Sequence, residues 1–543
     1  MKMRYSVKGN YVDVFERIVF PAEVFIEDGR IKRVQKLDGL FEKFILPGIV
    51  DSHVHIESSM LIPQEFARLA VKHGTVASVS DPHEIANVLG VQGVDFMIED
   101  ARRVPFKFHF GAPSCVPATA FESSGFVLDS SDVKSLLERD EIKYLSEMMN
   151  FPGVIYGDEE VALKLKAAIE LSKPIDGHAP GLKGDDLKKY AEAGITTDHE
   201  SVSKEEAIEK IKLGIKLQIR EGSAAKNFEA LWSVLNEYPD DVMLCTDDCH
   251  PDDLIVKHIL HLIKRAIAKG VSFFDAIRAA TVNPIKHYNL DVGLLREGDN
   301  ADFIIVDDLQ NLNVLETYIN GECVYTENKS FIKVKPIELI NNFNRKELES
   351  AAIILKDQGK NIQAIVAKDG DLYTTKEVVK PKVVDGNIVS DTDNDILKIV
   401  VVNRYNNSKP VIGFIKNFGL QKGAIAGSVA HDSHNIIAIG VDDIDILNSI
   451  NSVIKNKGAI VAVHREEILE LALPIAGLMT NENAESVADK YQQLNRKAKE
   501  WGSGLHAPFM TLSFMALLVI PELKIGDKYL FDGLKFSETS LFV

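Results

Sequence analysis

The chain has 543 residues, 45% hydrophobic and 26% charged, the balance of an ordinary globular protein too long for one core, so two or three domains are expected. A formal net charge of −18 with no Lys/Arg block argues against nucleic acid or anionic membrane as partners and favours a small, uncharged or cationic substrate. The four cysteines (Cys115, Cys245, Cys249, Cys323) make no disulfide framework, and the close pair Cys245/Cys249 has no second pair to complete a zinc site, so all four read as buried or free thiols.

The opening residues, MKMRYSVKGNYVDVF, lack the apolar stretch of a signal peptide, and LSFMALLVIP near the end is too short to span a bilayer. A cytoplasmic location is expected. Tyr11 to Val14, Ile18 to Phe25 and Ile31 to Val34 read as short strands, with a turn at Asp28-Gly29. From Phe44 the texture changes. Apolar runs ending in polar or ionisable residues follow one another: FILPGIVDSHVH, TVASVSDPHE, KFHFGAPSCVP, YLSEMMN, PIDGHAP, TTDHE, KLQIREGS and DVMLCTDD. Amphipathic helical patterns lie between them, at 161–171, 184–193, 204–213 and 226–237. Strand–helix alternation predicts parallel strands, and eight such runs are what a closed (β/α)8 barrel needs.

A helix over 253–268 follows, and then GLLREGDNADFIIVDD and NLNVLETYINGECVY return to short strands and turns. The fold class expected is α/β: a barrel over 47–298, a small β-sandwich built from 1–46 and 299–334, and a C-terminal α/β region over 335–543. The chain shows no low-complexity segment and no internal repeat.

Chemistry concentrates at the ends of the apolar runs. Five of the eight end in His, Asp or Glu: His53 and His55; Asp81, His83 and Glu84; His178; Asp198, His199 and Glu200; Asp247 and Asp248. Glu147 lies inside a sixth. Barrel strand ends meet at one mouth, where so many ionisable groups would bury mutually repelling charge unless a cation compensates. His53-Val-His55 is the sharpest signal, because strand alternation puts both imidazoles on one face, ready to chelate one metal.

LPGIVDSHVHIESS resembles the opening of the amidohydrolase superfamily. SVSDPHEIANVLG, SEMMN, DGHAPGL, CTDDCHPDDL and GAIAGSVAHDSHNIIAIG resemble the adenine deaminases of that superfamily over nearly the whole chain. The resemblance implies that His53 and His55 bind one metal, that Asp247 completes that site, and that His178 and His199 bind a second. Where many superfamily members bridge their metals with a carboxylated lysine, Glu147 stands here, and a carboxylate can span two cations. Mixed His and carboxylate ligation suits zinc, iron(II) or manganese, and the resemblance favours iron or manganese.

The activity so implied is hydrolytic deamination of adenine to hypoxanthine and ammonia, through water activated between two divalent ions, with Asp247 moving the proton to the departing nitrogen. The alternative is an amidohydrolase acting on another aminated heterocycle or a cyclic amide. Cytosine-type relatives protonate the ring with a Glu shortly after the fifth-strand His, but HAPGL has none. Glu84 is the candidate for that proton, unless it is only a helix-start acid favoured by the dipole; Glu200 is the fallback, or else a partner of a ligand His. His83 is a candidate to bond substrate or developing charge, or a structural histidine.

Asp248 joins Glu84, His83 and Glu200 among the expected substrate-binding residues. The distal HDSHN (His431 to Asn435) reads as a lid or wall over the mouth, with His434 or Asn435 reaching substrate, rather than as another metal site. The glycines around it match no Walker pattern, and the H-x-E with P-C-x-x-C signature of cytidine-type zinc deaminases is missing. Adenine is the expected partner, with no nucleic acid or membrane, and a homodimer or higher homo-oligomer is expected.

Overall fold

Residues 4–223, 225–326 and 329–543 are described by a computed structural model, in which the first strands follow the alternation of their sequence. β1 (Arg4–Asp13), β2 (Ile18–Glu27), β3 (Arg30–Lys36) and β4 (Phe44–Pro47) turn Ala22, Val24 and Ile26 inward at every second position.

The barrel strands come next: β5 (Ile49–Val54), β6 (Thr75–Ser80), β7 (Lys107–Ala112), β8 (Ile142–Met148), β9 (Ile175–Gly177), β10 (Thr197–Asp198), β11 (Lys216–Arg220) and β12 (Val242–Cys245). Each of the eight apolar runs supplies one. They pair in parallel and in chain order as a five-stranded and a three-stranded sheet. Two seams close the ring. Thr196 N–H donates to Ile175 O at 2.8 Å between β9 and β10, and Val54 bridges in parallel to Asp247 between β5 and the end of β12. Helices Glu159–Glu170, Gly184–Glu192 and Lys204–Lys212 lie where the periodicity puts them. The pattern at 226–237 forms two short helical turns, Phe228–Leu231 and Val234–Glu237. The helix expected over 253–268 is broken at His258, whose extended backbone (φ −150°) goes with a ring held by Thr75 Oγ1 at 2.7 Å.

β13 (Phe303–Val306), β14 (Val314–Ile319), β15 (Glu322–Thr326) and β16 (Lys329–Ser330) return to the N-terminal strands. Instead of two separate sheets, they form one continuous sheet, ordered β16-β15-β14-β13-β4-β1-β2-β3. β4 joins the halves, because it pairs in parallel with β1 on one side and antiparallel with β13 on the other. The sheet encloses its own core of Val24, Ile26, Ile31, Ile45, Phe303 and Ile305.

The C-terminal region holds β17 (Ile362–Val366), β18 (Thr375–Val379), β19 (Ile396–Val402), β20 (Val411–Lys416), β21 (Ala424–Gly427), β22 (Ile436–Gly440), β23 (Ala459–His464) and β24 (Glu467–Ala472). Their order is β18-β17-β20-β19-β22-β21-β23-β24, antiparallel throughout except for the pair β17/β20. Helix Asp443–Asn456 packs on this sheet through Ile446, Ile450 and Val453, a 4-then-3 spacing that makes one apolar stripe. One apolar cluster runs on from the barrel into this region, so the two share a core. The turn between β21 and β22, carrying HDSHN, is thereby pressed over the barrel mouth. Ser433 Oγ donates to Glu122 Oε2 (2.7 Å) and Asn435 Nδ2 to Ser123 O (2.9 Å), fixing it to the loop after β7.

Candidate metal centre at the barrel mouth

His53 ends β5, and His55 continues its extended course (φ −96°, ψ 102°), so both imidazoles share a face while Val54 is buried behind them. Their Nε2 atoms lie 3.2 Å apart. Asp247 Oδ1 faces both, 3.5 Å from His53 Nε2 and 3.1 Å from His55 Nε2. Asp247 adopts a left-handed backbone (φ 58°), costly for most side chains but tolerated by Asp. The barrel seam holds it there: its N–H donates to His53 O at 2.9 Å, and its carbonyl accepts from His55 N–H at 3.3 Å.

Glu147, on β8, stands between two groups. Its Oε1 lies 3.4 Å from His55 Nε2, whereas Oε2 lies 2.7 Å from His178 Nδ1 and 3.1 Å from His199 Nε2. Tyr190 locks this pair of strands, accepting from His178 N–H (3.0 Å) and donating to Met148 O (2.9 Å). Gly177, just before His178, admits no side chain, since a Cβ there would sit 2.5 Å from Thr197 O.

All six of these side chains are buried, His178 the most exposed at 6%. Burial opposes the charge on His178, yet Glu200 and Glu147 hold it up to about 9. Burial likewise opposes ionisation of Glu147, but His178 and His199 keep its carboxyl well below the usual range. Ligand atoms of His53, His199 and Asp247 lie within 4.8 Å of one another, as do those of Glu147, His178 and His199. Lone-pair donors converging in a dry site are what a divalent cation compensates, and imidazole with carboxylate is a donor set for one. The residues fit a metal centre.

Around this cradle, His83 Nδ1 lies 3.1 Å from Asp81 Oδ2 and 3.6 Å from Glu147 Oε1. Burial works against its charge, but Asp81 and Asp432 outweigh it and raise the imidazole well above its ordinary range. Glu84 opens α1 (His83–Leu89), and its Oε1 lies 2.8 Å from Ser58 Oγ, which is also 2.5 Å from Asp248 Oδ1, so the one hydroxyl proton serves one carboxyl at a time. Burial, with a contribution from Asp248, pushes the Glu84 carboxyl up. Glu200 is clamped, because Arg220 donates to its two oxygens at 2.5 and 2.9 Å and to Asp247 Oδ2 at 2.6 Å.

A cavity of about 30 Å³ joins these groups, room for little more than a water. His83, Glu84, Glu200 and Asp248 line it, as do five of the six residues of the cradle, all but His53. His434 does not. It adopts a left-handed backbone (φ 52°) with its ring buried, Nε2 4.0 Å from Glu84 Oε2, and the turn instead presents His431 and Asp432 to the cavity, beside Phe514 and Leu517. Those residues went unnoticed in the sequence, although HDSHN contains two of them. Arg220 did too: it ends β11 inside the seventh run, KLQIREGS, and a search for metal ligands passes over a guanidinium. A wider groove of about 690 Å³ lies on the small sheet, lined by Arg4, Tyr5, Phe25 and Lys32, away from this chemistry.

Residues 44–324 match the amidohydrolase family, and residues 371–537 match the adenine deaminase C-terminal domain. A relative from Methanosarcina acetivorans, named adenine deaminase, is 54% identical over 98% of this chain and 99% of its own. The adenine deaminase of Salinibacter ruber is 51% identical over the whole of both chains, and that of Borreliella burgdorferi 46% identical over 97% of this chain and 98% of its own.

Proposed function

The chain belongs to the amidohydrolase family, in its adenine deaminase branch, and on that premise we propose that it converts adenine and water to hypoxanthine and ammonia. The observation that carries this is likeness to adenine deaminases along the whole length, C-terminal domain included, rather than over the barrel alone.

His53, His55 and Asp247 would hold one divalent cation and His178 with His199 a second, with Glu147 between them, one oxygen toward each group. When bound, such cations lower the pKa of water toward neutrality and act as Lewis acids. The donor set carries no thiolate, and manganese or iron is the assignment, zinc the alternative.

The chain's own residues manage the protons. Adenine C6 becomes tetrahedral only as N1 gains a proton. Glu84 supplies it: it lines the cavity, and the upward push on its carboxyl keeps a proton available there. Glu200 is set aside as donor, because Arg220 occupies both its oxygens; it positions Arg220, which in turn orients Asp247. Asp247 takes one proton from attacking water and passes it to N6 as ammonia leaves, and the proton on the C6 oxygen returns to Glu84 as the carbonyl forms. His83, held protonated between Asp81 and Asp432, donates a hydrogen bond at the reacting face. Adenine exceeds the closed cavity, so entry requires the wall of His431, Phe514 and Leu517 to part from the barrel.

The test is direct. Metal-loaded protein incubated with adenine should yield hypoxanthine and ammonia one for one, with loss of adenine's ultraviolet band. Adenine left intact while another aminated heterocycle releases ammonia, or a cyclic amide opens, would move the substrate assignment elsewhere in the family.

A further inference from the structure

The proton transfers above use the N1 and C6 side of the base and give His431, in the turn between β21 and β22, no hydrogen bond to it. His431 from that turn lines the cavity and is 3% exposed, and its ring stacks on Phe514 with centroids 4.6 Å apart at 21°. Its Nδ1 lies 3.4 Å from Asp432 Oδ1 and 3.8 Å from Glu84 Oε1, so two carboxylates flank one nitrogen. Its Nε2 is buried and has no hydrogen-bond partner among the described residues. A buried N–H without an acceptor is costly and is normally satisfied, which points to an acceptor that arrives with the substrate.

Adenine offers ring acceptors at N1, N3 and N7. With C6 at the metal cradle and N1 at Glu84, N3 is the next nitrogen round the six-membered ring, whereas N7 lies on the far side of C6. His431 is the imidazole beside Glu84 that lines the cavity from the C-terminal region. We infer that His431 Nε2–H donates to N3 of the purine, so that the C-terminal region selects the base as well as roofing the mouth. Burial opposes a charge on the ring, but Asp432 beside Nδ1 favours it, so both nitrogens keep a proton while Glu84 holds its own for N1. This inference rests on adenine being the substrate.

The experiment measures 3-deazaadenine, which lacks the N3 acceptor, and 7-deazaadenine, which keeps it, as competitive inhibitors of adenine deamination. Wild type, His431→Phe and His431→Gln are compared, with metal content and melting recorded for each. Wild type should bind 3-deazaadenine roughly 10- to 100-fold more weakly than 7-deazaadenine, the weight of one hydrogen bond to a charged donor. His431→Phe, which keeps the stack on Phe514, should erase that preference at unchanged metal content, by weakening 7-deazaadenine and leaving 3-deazaadenine as it was. Intrinsic differences between the analogues cancel in the comparison of variant with wild type. His431→Gln, a neutral donor, should fall between, and it carries the comparison if the Phe variant does not fold. Wild type that deaminates adenine yet binds both analogues equally would overturn this assignment alone, and so would a preference that survives undiminished in the variants. Wild type inert toward adenine would instead overturn the substrate reading beneath it.

Discussion

Lys210, on α2 (Lys204–Lys212), touches no candidate ligand, yet its removal should empty half of the metal centre. Its ammonium donates to Asp198 Oδ1 (2.7 Å), Glu206 Oε1 (2.9 Å) and Ala179 O (2.8 Å), and the side chain is 2% exposed. Those partners in turn hold two loops. Asp198 Oδ2 accepts from Ala179 N–H at 2.9 Å, Asp198 Oδ1 from Glu200 N–H at 3.0 Å, and Glu206 Oε1 from Gly181 N–H at 3.0 Å. The staple thus joins the segment carrying His178 to the segment carrying His199. Lys210→Met leaves two buried carboxylates without their cation, a loss of about 3–5 kcal/mol, and roughly 3–4 °C in melting temperature for a chain of this length. Metal analysis after dialysis against a weak chelator should show the variant losing about one equivalent, because His178 and His199 spread apart while His53, His55 and Asp247 stay fixed by the β5/β12 seam. Adding Glu206→Gln should restore part of the stability by removing one of the stranded charges. If Lys210→Met keeps its full metal content and melts with wild type, the staple does not position the second pair.

Three further outcomes are expected. Glu84→Gln should keep its metal but lower kcat by roughly 10²–10⁴, and wild-type activity should fall as pH rises through the raised pKa of Glu84, since the protonated acid is the active form; unchanged turnover would remove Glu84 from the reaction. Glu147→Ala should lose bound metal outright, and full occupancy would mean that its carboxylate does not join the two groups. Burial pushes Glu122, beneath the HDSHN turn, up to about 8, so the folded state binds the extra proton and stability falls as pH rises from about 4.5 to 8; between pH 6 and pH 8 wild type should lose about 2–3 kcal/mol that Glu122→Gln retains, and parallel melting curves would contradict it.

The barrel was legible because parallel strands covered on both faces read as apolar runs, and a run that stops at a polar residue marks the end pointing to the mouth. The same logic placed His53, His199 and Asp247 at strand ends, with Glu147 inside a sixth run, and the fold brings them within a few ångströms. What periodicity cannot encode is the path of a turn. HDSHN announced itself by composition, but composition does not say that His431 and Asp432, rather than His434, face the cavity. Lys210 escaped notice for a related reason, since a lysine in a charged helix reads as solvated, and only the packing of two loops over it makes it a buried cation. The small sheet was expected as a sandwich because the pairing of β4 with both β1 and β13, which makes it continuous, joins residues far apart in sequence.

Adenine hydrolysis is proposed to depend on metal held by six residues at the barrel mouth. Apoprotein prepared by chelation and titrated with manganese, with ammonia release from adenine followed at each step, tests it most directly. Activity should rise from near zero and level off at two equivalents per chain, and His53→Ala should abolish the rise. Deamination that persists without metal, or that saturates fully in the His53→Ala variant, would contradict it.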